Sequence, residues 1–268
     1  MAKVIAICNQ KGGTGKTTTS INLSVYLALE GLRVLLIDAD PQGNSTSGLG
    51  VDKDTIEQSL YHVLLSHADI KDIVRKTDVE NLSLVPSNID LIGAEVELVE
   101  EIDREKKLKT ALETIKDDFD YILIDCPPSL GIITLNALVS SSSVLIPVQC
   151  EYYALEGLGQ LTKTINLIRD NLNPPLKVEG VLLTMADFRT NLTAEVISET
   201  KNFFQEKVFD TIIPRSIRLA EAPGFGKSIF QYDKNSIGAQ RYNALAKEVL
   251  AQSGPAPEAA PQETVPNP

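Results

Sequence analysis

The chain has 268 residues, 43% of them hydrophobic, with a net charge of −11, which allows one large α/β domain or two small ones and excludes general polyanion binding by the whole surface. No run approaches 18 consecutive apolar residues, so a membrane-spanning helix is excluded. The charge is uneven: residues 180–250 carry nine Lys/Arg against eight Asp/Glu, and residues 1–179 carry 16 against 26, so a phosphate-binding surface is expected in the C-terminal third.

Residues 3–8 (KVIAIC) read as a strand, and the stretch before Cys8 is too short for a signal peptide. A glycine-rich loop follows, and residues 16–30 show a helical pattern that stops at Gly31. Continuous apolar runs at 33–37 (RVLLI), 82–85, 121–124 (YILI), 144–148 (VLIPV) and 178–183 (VEGVLL) suit strands covered on both faces. Helical stretches lie between them, at about 55–66, 88–116, 131–140, 153–171 and 191–206. This alternation predicts an α/β fold with a mostly parallel twisted sheet and helices on both faces. Residues 1–252 are expected to form one domain. Residues 253–268, rich in Pro and Ala, are expected to form a disordered tail. Cys8, Cys126 and Cys150 have no metal-ligand spacing and read as buried thiols of a cytoplasmic protein.

The strand at 3–8 runs into NQKGGTGKTT, residues 9–18, at the start of a helix. Gly12, Gly13 and Gly15 let successive backbone N–H groups turn inward on phosphate oxygens, and the helix adds its positive N-terminal end. Lys16 is expected to reach the β- and γ-phosphates and the Thr17 hydroxyl to coordinate Mg²⁺. Thr14 and Thr18 complete the cradle. The first glycine of the common GxxxxGK[ST] pattern is replaced by Gln10, and Lys11 adds a second cation that needs an anion, either in its own site or in a partner subunit's. Asp125 ends an apolar strand and is expected to hold the water shell of Mg²⁺. Asp38 and Asp40 follow another strand. Asp40 is placed to orient the attacking water, and Asp38 to support Mg²⁺ or the loop; an Asx-turn around Pro41 is compatible with both.

KGGTGKTT, DADPQGN and DCPPS, in that order and spacing, resemble the deviant Walker A, Walker A′ and Walker B motifs of the ParA/MinD group of ATPases. PSNIDL (86–91), PVQCEYYALEGL (147–158) and IPRSIRLAEAPGFGKSI (213–229) direct the resemblance to chromosome-partitioning ATPases of the short ParA (Soj) type. It runs from about residue 1 to 250. It implies ATP hydrolysis with Mg²⁺, an ATP-dependent sandwich homodimer, and Lys11 reaching across the interface. It further implies that Pro214 lies near the adenine, that the dimer binds double-stranded DNA non-specifically, and that a ParB-type centromere-binding protein stimulates hydrolysis. The protein would be nucleoid-associated when ATP-bound. Arg189 and Arg218 match the family's DNA-binding positions, with Lys227 and Arg241 as further candidates. Local ion pairs, Arg189 with Asp187 and Arg218 with Glu221, are the competing reading. Thr14 and Gly224 depart from the family pattern, where Val and Ser are usual. The helix-turn-helix extension of larger plasmid partition proteins is not expected. Other readings are a membrane-cycling MinD-type regulator, a reductase like the nitrogenase iron protein, or the same cycle acting on another cargo. The C-terminal residues lack the basic, bulky-apolar pattern that a MinD-type membrane helix needs, and no membrane partner is expected. The cysteines lack a cluster-binding context.

Overall fold

The computed structural model describes residues 2–151 and 154–252, without the side chains of 154–156; the expected tail at 253–268 lies outside the described residues. Seven strands form a single sheet: β1 (Lys3–Ile7), β2 (Val34–Asp38), β3 (Arg75–Lys76), β4 (Leu82–Val85), β5 (Tyr121–Asp125), β6 (Ser143–Gln149) and β7 (Lys177–Thr184). Their spatial order is β3-β4-β2-β5-β1-β6-β7, and every pairing is parallel except β3 with β4. The runs of buried Val, Ile and Leu follow from coverage on both faces. Alternate strand residues divide between two cores. Ala6, Leu35, Ile37, Ile122 and Ile124 face one, with the helices Leu60–Leu64, Leu91–Glu97 and Ile132–Ser140. Ile5, Ile7, Leu36 and Leu123 face the other, with the helices Lys16–Leu29 and Ile237–Gln252.

The sheet order brings the C-terminal ends of β2, β5 and β1 side by side. Asp38 pairs in register with Asp125, and Asp125 with Ile7. In an open parallel sheet this end, where the connections diverge, is the ligand-binding end.

Two expectations need correction. The helical stretch expected at about 88–116 is three pieces: Leu91–Glu97 running into a 3₁₀ turn Leu98–Glu100, another 3₁₀ turn Arg104–Lys106, and a helix Lys107–Leu112. The buried anchors do not mark the break: Leu91, Ala94 and Leu98 before it and Leu108 and Leu112 after it fall within about 100° of one another at 100° per residue, and what ends the first piece is Glu101, which is extended at ψ 139°. The chain turns between them, with Asp103 in the left-handed region at φ 52°. The helix expected at 55–66 is also shorter, Leu60–Leu64, behind a 3₁₀ turn Lys53–Thr55.

Candidate functional site: a phosphate loop beside buried carboxylates

The helix Lys16–Leu29 begins at Gly15, which is left-handed at φ 87°. Gly13 is also left-handed, at φ 72°. These conformations turn the loop back over the helix N-terminus. The loop is fixed from outside by residues distant in sequence. Asn9 donates to the Pro147 carbonyl at 2.6 Å and accepts from the Lys11 N–H at 3.0 Å. Thr184, at the end of β7, donates to the Thr14 carbonyl at 2.8 Å. Lys16 is buried and donates to the Lys11 carbonyl at 3.1 Å, so its ammonium lies folded over the loop.

Asp125 is fully buried and accepts from Ser20 at 3.0 Å and Ser45 at 2.8 Å; the Thr17 hydroxyl also donates to it. Asp38 accepts from both the N–H and the hydroxyl of Thr46, each at 2.7 Å, and from the Asp40 N–H at 3.2 Å. Burial raises both acids, Asp38 to about 7 with the added repulsion of Asp125, and Asp125 to about 6. Two buried carboxylates pushed upward together make a pocket short of positive charge. Asp40 is buried at the edge of this pair and closes an Asx-turn on the Gln42 N–H at 2.9 Å.

These oxygens fit a small hard cation. A hydroxyl and carboxylates beside a phosphate cradle are the ligand set that Mg²⁺ takes while keeping its waters.

The structure thus gathers Lys11 to Thr18, Asp38, Asp40 and Asp125 at one end of the sheet. Pro214 joins them from the far side. Its segment is pinned to the end of β7, where Ala186 donates to the Ile213 carbonyl at 3.1 Å and accepts from the Arg215 N–H at 3.1 Å. It lines a pocket of about 220 Å³ with Gly15, Thr18, Met185, Leu219 and Tyr242. Lys11 points elsewhere: its ammonium lies 3.5 Å from Glu151, which also faces Arg215 at 3.6 Å. The sequence reading did not single out Glu151, Ser20, Ser45, Thr46 or Thr184. Glu151 lies just beyond β6, at the site end of the sheet, and that placement was its one available signal.

Arg189 and Arg218 stand apart from this site. Arg189, in the loop before the helix Asn191–Phe204, makes a two-pronged pair with Asp187 at 2.7 and 2.8 Å. Arg218 lies 3.3 Å from Glu221 and 3.8 Å from Asp233, with its guanidinium 5.9 Å from the Tyr232 ring centre. Both local ion pairs that competed with a DNA-binding reading are therefore present.

A family model described as an AAA domain matches residues 2–178. The chain is 59% identical to the sporulation initiation inhibitor protein Soj of Bacillus subtilis over 251 residues, covering 94% of this chain and 99% of that protein. It is 51% identical to the chromosome partitioning protein ParA of Myxococcus xanthus, covering 95% and 90%. A solved structure described as cobyrinic acid a,c-diamide synthase from Mycobacterium smegmatis with bound ADP and magnesium is 38% identical, with a TM-score of 0.84 and coverage of 94% and 96%. A P-loop site on this sheet, together with these relatives along nearly the whole length, leads to one conclusion: the chain belongs to the Soj/ParA family of chromosome-partitioning ATPases.

Proposed function

We propose that this protein is a nucleotide-gated DNA switch. With Mg²⁺ and ATP bound, two copies pair and hold duplex DNA without sequence preference. Hydrolysis, stimulated by a ParB-type partner, releases the DNA and so drives segregation of a chromosome or plasmid. The ATPase is assigned to residues 1–252, and the ATP-bound pair to the nucleoid. The observation that carries the reading is the convergence of the phosphate loop with Asp40 and two buried carboxylates at adjacent strand ends.

In this reading the N–H groups from Gly12 to Thr18 cradle the phosphates. Lys16 exchanges the Lys11 carbonyl for phosphate oxygens. Thr17, and Asp125 and Asp40 through water, hold Mg²⁺, which supplies neutralisation of the phosphate charge. Asp40 orients the attacking water. Lys11 leaves Glu151 for the phosphates of the opposite copy, and Pro214 packs on the base. Arg189 and Arg218 contact DNA phosphates. Their present partners are half-buried surface carboxylates, and ion pairs open to water contribute little to stability, so a phosphate can displace them.

Two substitutions test the site. Lys16→Ala is expected to abolish binding of a fluorescent ATP analogue. Asp40→Ala is expected to retain binding while phosphate release falls by roughly 10²-fold or more. Turnover at the wild-type rate in Asp40→Ala would contradict the water-orienting role.

A further inference from the structure

The helix Leu91–Glu97 and its 3₁₀ continuation Leu98–Glu100 carry apolar residues on two opposite faces. Leu91, Ala94 and Leu98 are buried in the core. Ile89, Ile92, Val96 and Val99 recur at helical spacing on the other side and are exposed, Val96 at 72%. Four aliphatic side chains in a row on solvent form a stripe, whereas scattered exposed residues would need no explanation. Beyond the extended Glu101, Ile102 is 85% exposed and lines a groove of about 570 Å³ with Val63, Ile70 and Ala111.

Acid surrounds it. Between Asp90 and Glu105 there are seven carboxylates and one cation, Arg104. By helical position, Asp90 and Glu97 flank one side of the stripe and Glu95 the other, with Glu100 at its end. Lys107 and Lys106 neutralise only Glu101 and Asp103. A second copy of this acidic surface would be repelled. The complement is a helix with apolar residues at i, i+3, i+4 and i+7 and Lys or Arg on both flanks.

The stripe is wired to the nucleotide site at both flanks. The Glu95 carboxylate lies so close to Gly131 that a β-carbon there would collide with it. Gly131 ends the loop that leaves Asp125 and starts the helix Ile132–Ser140. At the other end, two residues before Ile89, the Ser87 N–H donates to the Thr46 hydroxyl at 3.0 Å, and Thr46 donates to Asp38.

We propose that this stripe is the docking surface for a basic amphipathic helix of the partner protein that stimulates turnover. The proposal rests on the partner-stimulated cycle described above. A helix seated between Glu95 and Glu97 presses on the loops that hold Asp125 and Asp38, so that docking bears on the hydrolytic site without entering it.

The test uses the full chain with Mg²⁺ and ATP. The probe is a fluorescein-labelled 18-residue designed helix with one leucine stripe and Lys/Arg elsewhere; a second version carries Glu in place of Lys/Arg. Wild type is expected to bind the basic helix, to reject the acidic one, and to hydrolyse ATP faster with the basic helix present. The double variant Val96→Ser/Val99→Ser keeps every charge and touches no buried residue. It is expected to bind roughly tenfold more weakly, with unchanged basal turnover and unchanged ATP-dependent dimerisation. Equal affinity in wild type and variant would mean that the peptide merely follows the net negative charge, and would overturn the surface. Loss of dimerisation in the variant would also overturn it, by making the stripe a contact between copies. Absence of ATP hydrolysis in wild type would sink the functional reading instead, whatever the affinities.

Discussion

At Thr184 a hydroxyl from the end of β7 donates to the Thr14 carbonyl at 2.8 Å, and the side chain lies against Gly15. No residue inside the loop can make that brace. Thr184→Val keeps the shape, removes the bond and leaves a buried carbonyl without its donor, at a cost of about 1–2 kcal/mol. Nucleotide affinity, measured by anisotropy, is expected to weaken roughly 5- to 30-fold with the fold intact by circular dichroism. Unchanged affinity would mean that the loop is rigid without β7. The same residue shows where sequence reading ends. Lys16, Thr17, Asp40 and Asp125 were legible because each sits in a contiguous motif beside an apolar strand. Thr184 and Glu151 serve the same site from the ends of β7 and β6, and the strand order makes them its neighbours; Ser20, Ser45 and Thr46 lie close to Lys16 and Asp40 in sequence, but as common hydroxyl residues they carry no mark of their carboxylate partners.

Among the elements, the strands were legible because full burial on both faces demands unbroken runs of Val, Ile and Leu. The two-residue strand Arg75–Lys76 escaped for the opposite reason: it is antiparallel, at the sheet edge and polar. The break within 88–116 was not legible because Leu91, Ala94, Leu98, Leu108 and Leu112 keep one helical phase across it, and nothing in the sequence marks the extended Glu101 or the left-handed Asp103. The loops near the C-terminal third depend on one close approach. Gly226 is left-handed at φ 63°, and a β-carbon there would sit 2.8 Å from the Gly50 Cα. Both atoms are fixed by backbone, so Gly226→Ala is expected to lose about 2–3 kcal/mol. Thermal unfolding should then begin roughly 4–12 °C lower. Two residues away, Gly224 has open space around its β-position, and Gly224→Ser is expected to stay within about 0.5 kcal/mol of wild type. A matching loss at Gly224 would contradict the close-approach argument.

For the whole molecule, net charge and proposed function pull in opposite directions. A chain of net charge −11 is repelled by DNA, and residues 180–250 of each monomer set nine cations against eight carboxylates, with Arg189, Arg215 and Arg218 tied to nearby acids. Pairing two copies doubles the phosphate contacts, and each contact adds about 0.9 to the salt dependence of binding to duplex DNA. Affinity should thus appear steeply when the nucleotide joins two patches and vanish when they part. Lys11 suits such a gate, since in the single chain Glu151 holds its charge away from the loop. The most direct measurement is binding to a random-sequence duplex at low salt with ATP, ADP or no nucleotide, for wild type and Asp40→Ala. Binding with ATP alone, transient in wild type and persistent in Asp40→Ala, is the expected result; binding that ignores the nucleotide, or none under any condition, would contradict a nucleotide-gated DNA switch.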